Sequence, residues 1–226
     1  MFNFFNEITM KINRIIFAIC CVAIITSCSD DFLDNKPQGS LSDGVMNSTE
    51  SIDLLVNAAY AGLTGFTNEQ GDPWIRPTSN WSYGEVRADN AYKGGGGEGD
   101  LWDFHAMETF QVQSNNGNLD GKWFNLYSLI SRCNAALRVL NGADEADVPV
   151  KASRIAEMKV LRAHFYFELS RLFNKVPYID ENLSTSEYVN VRNDEYSRNE
   201  LLGLIASELM DASADLPERQ DEVGRI

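Results

Sequence analysis

The sequence is short of cysteine, histidine, basic charge and long apolar runs, and each shortage narrows what the chain does. Cysteine occurs at positions 20, 21, 28 and 133 only. The first three crowd into an N-terminal leader, so Cys133 stands alone in the body and no internal disulfide framework exists. It falls on an apolar helical face, where a small, buried, inert thiol is expected. The two histidines, His105 and His164, lie far apart. His164 and Glu168 share a helical face, but a pair one turn apart makes no metal site without further ligands. No Gly-x-Ser-x-Gly nucleophile motif occurs, and 33 acidic residues guarantee close carboxylate pairs whether or not a glycosidase is present. No catalytic residue, metal or cofactor is assigned, and an enzyme is not expected. Lysine and arginine total 19, giving a net charge of −14, and removing residues 1–27 leaves 17 basic and 32 acidic residues. So acidic a surface repels phosphate backbones and anionic lipid heads, which excludes nucleic acid as a partner and leaves neutral ligands open.

The longest apolar run, Ile15 to Ile25, has 11 residues, short of the ~20 that span a bilayer. Lys11 and Arg14 precede it and Thr26-Ser27-Cys28 follows, the layout of a secretory signal over residues 1–27, with Met10 as an alternative start. Ile25-Thr26-Ser27-Cys28 resembles a lipobox, in which Cys28 is acylated and becomes the mature N-terminus; the alternative is an ordinary signal peptide with an incidental cysteine. Several acyl chains give stable anchoring where one binds reversibly. Ser29-Asp30-Asp31-Phe32-Leu33-Asp34 resembles the surface-export signal of Bacteroidota lipoproteins. Residues 28–47 thus read as export signal and polar tether.

Beyond the tether, apolar residues recur at helical spacing in four places. Asn47-x-x-Glu50 caps a helix bearing Ile52, Leu55, Val56, Ala59, Tyr60 and Leu63, stopping near Gly65. From Leu119 a second helix carries Trp123, Leu126, Tyr127, Ile130, Cys133, Leu137 and Leu140, and ends at Asn141-Gly142. A short acidic turn leads into the third, whose stripe of Ile155, Met158, Leu161, Phe165, Leu169 and Leu172 is widened by Ala156, Ala163, Tyr166 and Phe173. So wide an apolar face belongs to a helix buried between neighbours, with Pro177 as its stop. The short turn makes the second and third helices antiparallel. Ser197-x-x-Glu200 forms a capping box for a fourth helix, with Leu201, Leu204, Ile205, Leu209, Ala212 and Leu216 inward.

Residues 66–118 lose this periodicity. The run 94–99, Gly-Gly-Gly-Gly-Glu-Gly, lacks the Lys-Ser/Thr of a phosphate loop and reads as a flexible loop. Asn116-x-Asn118-x-Asp120-Gly121 opens like an EF-hand but places Tyr127 where the bidentate glutamate belongs. Trp74, Trp81, Tyr92 and Trp102 stand among polar residues here. A sugar ring offers an apolar C–H face rimmed by hydroxyls, so aromatic platforms beside hydrogen-bonding side chains suit glycans. The competing role for each ring is to anchor the loop onto the helices.

Glu157, Leu161-Arg162-Ala163, Tyr166-Phe167, Leu169, Arg171-Leu172-Phe173 and Val176-Pro177 together resemble the signature helix of the SusD/RagB family, and the rest of the chain agrees. Cys28 to Asp34, Arg87-Ala88-Asp89-Asn90-Ala91, Trp123-x3-Tyr127-x2-Ile130-x2-Cys133-Asn134, Leu209 to Leu216-Pro217, and Gly224-Arg225 are similar to that family's phrases in the same order. The resemblance implies an all-α, tetratricopeptide-like repeat fold with a long irregular insertion, covering residues 48–226 as an incomplete N-terminal domain. It implies structural roles for Asp89 and Asn90, whose side chains would pin their loop, and for Trp123, Asn134 and Arg162, with Asn134 meeting the partner helix. It also implies a non-catalytic outer-membrane lipoprotein that captures oligosaccharides for a SusC-like TonB-dependent transporter. Tyr92 and Trp102 are then the first candidates for ligand contact, followed by Trp81 and Trp74. A peptide-binding RagB-like subunit, a generic helical adaptor and a truncated, inactive helical fragment are the alternatives.

Overall fold

The computed structural model describes residues 48–64, 80–220 and 223–226, all within the compact unit Asp43–Ile226. The leader, Cys28, the tether, Asn47 and Trp74 lie outside the described residues. The described residues form helices α1 (Thr49–Tyr60), α2 (Trp102–Glu108), α3 (Gly117–Gly142), α4 (Lys151–Leu172) and α5 (Arg198–Ser213), with no strand among them. Short 3₁₀ turns follow α1 and precede α5, and a π-helical turn spans Trp81–Val86.

The helices pack in a tetratricopeptide-like arrangement, α3 and α4 antiparallel, with Trp123 against Phe173 at one end and Asn134 against Arg162 further along. α4 lies centrally, with α3 on one side and α5 on the other, and α1 closes over α3 and α4. The core is continuous: Ile52 and Val56 of α1 meet Leu126, Leu129, Ile130, Cys133 and Leu137 of α3, then Met158, Leu161, Phe165 and Leu169 of α4, then Leu201 and Ile205 of α5. Burial pushes the Cys133 thiol up to about 12, so it stays a neutral core group. After α1 the chain passes so close to α3 that a Cβ on Gly62 would stand 2.3 Å from Leu129 Cδ2. Any larger residue there would have to displace the buried Leu129 side chain.

The helix ends follow local chemistry, with two corrections, at the start of α1 and the end of α4. α1 is capped by Ser48, not Asn47: the extended Ser48 backbone aims its hydroxyl at the Ser51 amide, 3.3 Å away. α3 is capped by Asn116, whose Oδ1 accepts from the Leu119 amide at 3.1 Å, which explains the polar run that mimics an EF-hand. α4 stops at Leu172, five residues before Pro177. Phe173 turns extended there and its ring packs edge-on against Trp123 with centroids 4.8 Å apart. The chain then returns across the α3–α4 hairpin, where Tyr127 donates to the Pro177 carbonyl and Tyr166 both donates to and accepts from the Ile179 backbone. Tertiary contact ends this helix before proline can. The capping box of α5 forms as its sequence predicts.

α5 turns inward the face its spacing predicts at Leu201, Ile205 and Ala212, but Glu208 is buried where Leu209 is expected. Leu201, Ile205, Glu208 and Ala212 are buried while Leu209 and Met210 are exposed. Glu208 is met there by Arg162 of α4. Its buried guanidinium donates through Nε to Glu208 Oε1 at 2.9 Å and again through Nη2, and through Nη1 to Asn134 Oδ1 at 2.7 Å and to Glu181. Burial works against the arginine's charge, but Glu208 more than offsets it and holds the guanidinium firmly protonated. Asn134 also donates to the Ile179 carbonyl at 2.9 Å, so α3, α4, α5 and the 178–183 segment meet at one polar node.

Candidate ligand-binding surface

The segment predicted to be irregular contains its own small core. Tyr83 of the π-helical turn packs with Phe104 and Met107 of α2, flanked by Trp81, Leu119 and Leu172. The Tyr83 hydroxyl donates to the Asn118 carbonyl at 2.8 Å, and the Asn116 amide nitrogen donates to the Asp103 carbonyl at 3.0 Å. These bonds fasten the module to the start of α3.

The glycine-rich run is an ordered loop wrapped around one cation, not a loose one. The Lys93 side chain is buried, and its ammonium donates to the carbonyls of Gly94 (3.2 Å), Gly97 (2.9 Å) and Asp100. All three of its protons are thereby used. Gly95, at φ +84°, lets its neighbour's amide reach Asp100: Gly96 N donates to Asp100 Oδ2 at 2.8 Å, and a Cβ on Gly95 would stand 2.1 Å from that oxygen. Backbone N–H of Lys93 donates to Glu108 Oε1 at 3.1 Å, tying the loop that carries Tyr92 to the helix that carries Trp102.

This scaffold divides the candidate rings. Trp81 lies 5.7 Å from Phe104, centroid to centroid, and joins the small core. Trp102 is 50% exposed and Tyr92 69% exposed. Trp102 is steadied from beneath by the His105 ring, 5.4 Å away, and His105 Nδ1 in turn lies 3.8 Å from Glu108. Phe110, not among the rings that the sequence points to, is 70% exposed, with the Arg87 guanidinium 5.9 Å from its centroid. Leu101 and Phe110, on either side of α2, both adopt the left-handed region at φ 54° and 57°. Bulky residues rarely do so, and such strain persists where the fold imposes a presentation. Only the polar setting of Phe110 in Thr-Phe-Gln-Val-Gln hints at its exposure in the sequence.

The remaining assigned residues fall as follows. Asn90 Nδ2 donates to Glu85 Oε2 at 3.2 Å, whereas Asp89 is exposed and serves through its left-handed backbone, φ 62°. Trp123 is half-buried between Tyr127 and Phe173, both centroids 4.8 Å away. Asn134 and Arg162 belong to the polar node described above.

Lys122 of α3 is fully buried beneath this module, its ammonium 4.9 Å from the Tyr83 centroid. Burial lowers its pKa to about 8, with Glu168 opposing and Arg171 reinforcing the shift. The unfolded chain therefore holds more protons than the folded one between about pH 8 and pH 10.5, and stability attributable to this group rises across that window. At pH 7 the buried charge costs on the order of 3 kcal/mol. Urea unfolding of wild type and Lys122→Met at pH 7 and pH 9.5 is expected to show the stability of the methionine variant, relative to wild type, declining as pH rises. A difference independent of pH would contradict this.

Comparison with known proteins places the chain among relatives of one kind. Residues 31–224 match the SusD-like_3 family model, described as starch-binding associating with outer membrane. A SusD-like protein of Bacteroides ovatus is 26% identical over 178 residues, 78% of this chain and 30% of its own length. Among solved structures, a laminarin binding SusD-like protein superposes with a TM-score of 0.64 at 24% identity, over 80% of this chain and 37% of that one. Surface glycan-binding protein A from Bacteroides thetaiotaomicron in complex with laminarihexaose gives 0.62 at 24% identity, over 79% and 36%. These structural likenesses bear on the fold, and the chain spans about a third of the length of the relatives it matches.

Proposed function

The chain belongs to the SusD-like family, and from that premise we propose that it is the glycan-capturing part of a non-catalytic, cell-surface lipoprotein. In this reading residues 1–27 direct export, acylated Cys28 anchors the protein to the outer membrane, and residues 28–47 tether the helical domain 48–226. Captured oligosaccharide passes to a SusC-like TonB-dependent transporter.

The observation that carries the reading is that Tyr92 and Trp102 are both exposed, the loop of the first pinned to the helix of the second through Lys93 and Glu108. An exposed ring held rigidly by its neighbours stacks on a sugar's C–H face with little ordering cost. Asp100, Asp103 and Glu98 are exposed or half-exposed near it in sequence and offer acceptors for hydroxyls. They also repel anionic ligands, which favours neutral glycans. The ligands of the laminarin-binding and laminarihexaose-bound relatives are neutral glucans, consistent with that preference.

The test is retention of the purified protein on immobilised glycans and on peptides, followed by titration with the soluble oligosaccharide. Trp102→Ala is expected to weaken glycan binding about ten- to thirtyfold, the loss of ~1.4–2 kcal/mol, with the melting temperature within a few degrees of wild type. Failure to bind any glycan, or full affinity in Trp102→Ala, would overturn the reading; retention on peptides alone would redirect it to a peptide ligand.

A further inference from the structure

Beside the Trp102 region lies a groove of about 460 Å³ between the 112–116 strap, the first turns of α3 and the residue after α4. We propose that this groove is a second sugar subsite, continuous with the Trp102 platform, that takes a neutral hexopyranose of the same glycan chain. The proposal rests on the glycan-binding reading and adds to it a place and a dependence on chain length.

The lining has the two-sided character that a pyranose ring demands. Trp123 and Phe173 supply the apolar side, their rings fixed edge to face. Gln113, Ser114 and Asp120 supply the polar side. Their side chains are exposed and make no hydrogen bond to any other described residue, so an amide, a hydroxyl and a carboxylate stand free to meet ring hydroxyls. The volume lies within the roughly 300–1,000 Å³ of small-ligand sites. Asp120 accepts from vicinal hydroxyls and disfavours uronic or sulfated sugars by like charge.

Two hydrogen bonds fasten the groove wall to the first turn of α2. Asn116, in the groove wall, donates through Nδ2 to the Asp103 carbonyl at 3.0 Å, and the Gly117 amide donates to Asp103 Oδ2 at 2.9 Å. Asp103 is the neighbour of Trp102. An oligosaccharide long enough to engage both subsites gains affinity through effective concentration without either site being strong.

The experiment is calorimetric titration with laminarihexaose and maltohexaose and with the corresponding disaccharides. Two groove variants, Gln113→Ala/Asp120→Ala and Ser114→Trp, are compared with wild type and Trp102→Ala. All substituted groove residues are exposed, so melting temperatures should stay close to wild type. The groove variants are expected to lose about five- to tenfold in hexasaccharide affinity while disaccharide binding at Trp102 is unchanged. Unaltered hexasaccharide affinity in both groove variants, with Trp102→Ala still weakened, overturns the second subsite and leaves the platform intact. Wild-type protein that binds no glycan overturns both.

Discussion

Arg162→Met is expected to destabilise the protein by ~3–5 kcal/mol, the cost of breaking a buried ion pair by removing one partner. Arg162 is buried at the meeting point of three helices and supplies every charge-compensating bond to Glu208 and Glu181 there. Without it, Glu208 of α5 stays buried with one oxygen, Oε2, that already has no partner among the described residues. Burial holds the Glu208 pKa above the usual carboxylate range even with the arginine in place. In the variant that shift grows, the folded state binds a proton the unfolded state does not, and the deficit shrinks as pH falls towards 5. Urea unfolding at pH 8 and pH 5 measures both effects. Replacing both partners, Arg162→Met with Glu208→Leu, is expected to recover at least half of the loss, because an apolar pair leaves no buried charge. A single variant within 1 kcal/mol of wild type would show that water reaches the node freely.

Glu157→Ala should cost a comparable ~3–5 kcal/mol, for the mirror-image reason. Glu157 is fully buried and accepts from the Tyr60 hydroxyl at 2.7 Å, from Arg154 Nη1 at 2.7 Å and from Arg225 Nη1 at 3.2 Å. Asp53 is the other carboxylate in the cluster, 2.8 Å from Arg154 Nε and 3.5 Å from Arg225 Nη2. Removing Glu157 leaves two guanidinium groups sharing Asp53. The cluster ties α1 to α4 and draws in the Gly224-Arg225 pair, so its loss loosens both at once. A double-mutant cycle between Glu157→Ala and Arg225→Ala is expected to give a coupling of at least 1 kcal/mol, on the scale of contacting charged residues. Additivity of the two losses would mean that Arg225 merely lies over the surface.

Both predictions concern charges that an apolar-periodicity reading treats as interruptions. Arg162 breaks the stripe of α4, and nothing near it in sequence names Glu208, 46 residues on, as its partner. Lys93 is similar: a lysine before a glycine run reads as a solvated charge in a loose loop, and only the folded chain turns the Gly94, Gly97 and Asp100 carbonyls inward around it. Among the rings, Trp81, Tyr92 and Trp102 share a polar, aromatic-rich context. Their division into core and surface follows from how the π-helical turn and α2 stack, which no spacing within the segment reveals.

The sequence by itself determined the four long helices and their order, the capping box of α5 and the family to which the chain belongs. These rest on interactions between residues three or four apart, or on phrases kept in order, and both are local properties of a chain. Tertiary structure alone decided that α2 forms, where α4 ends, that Glu208 and not Leu209 is buried, which carboxylates meet which arginines, and which aromatic rings face solvent. Each of these depends on a contact between distant segments, and with 33 acidic residues available many pairings are chemically equivalent until packing brings two groups within reach.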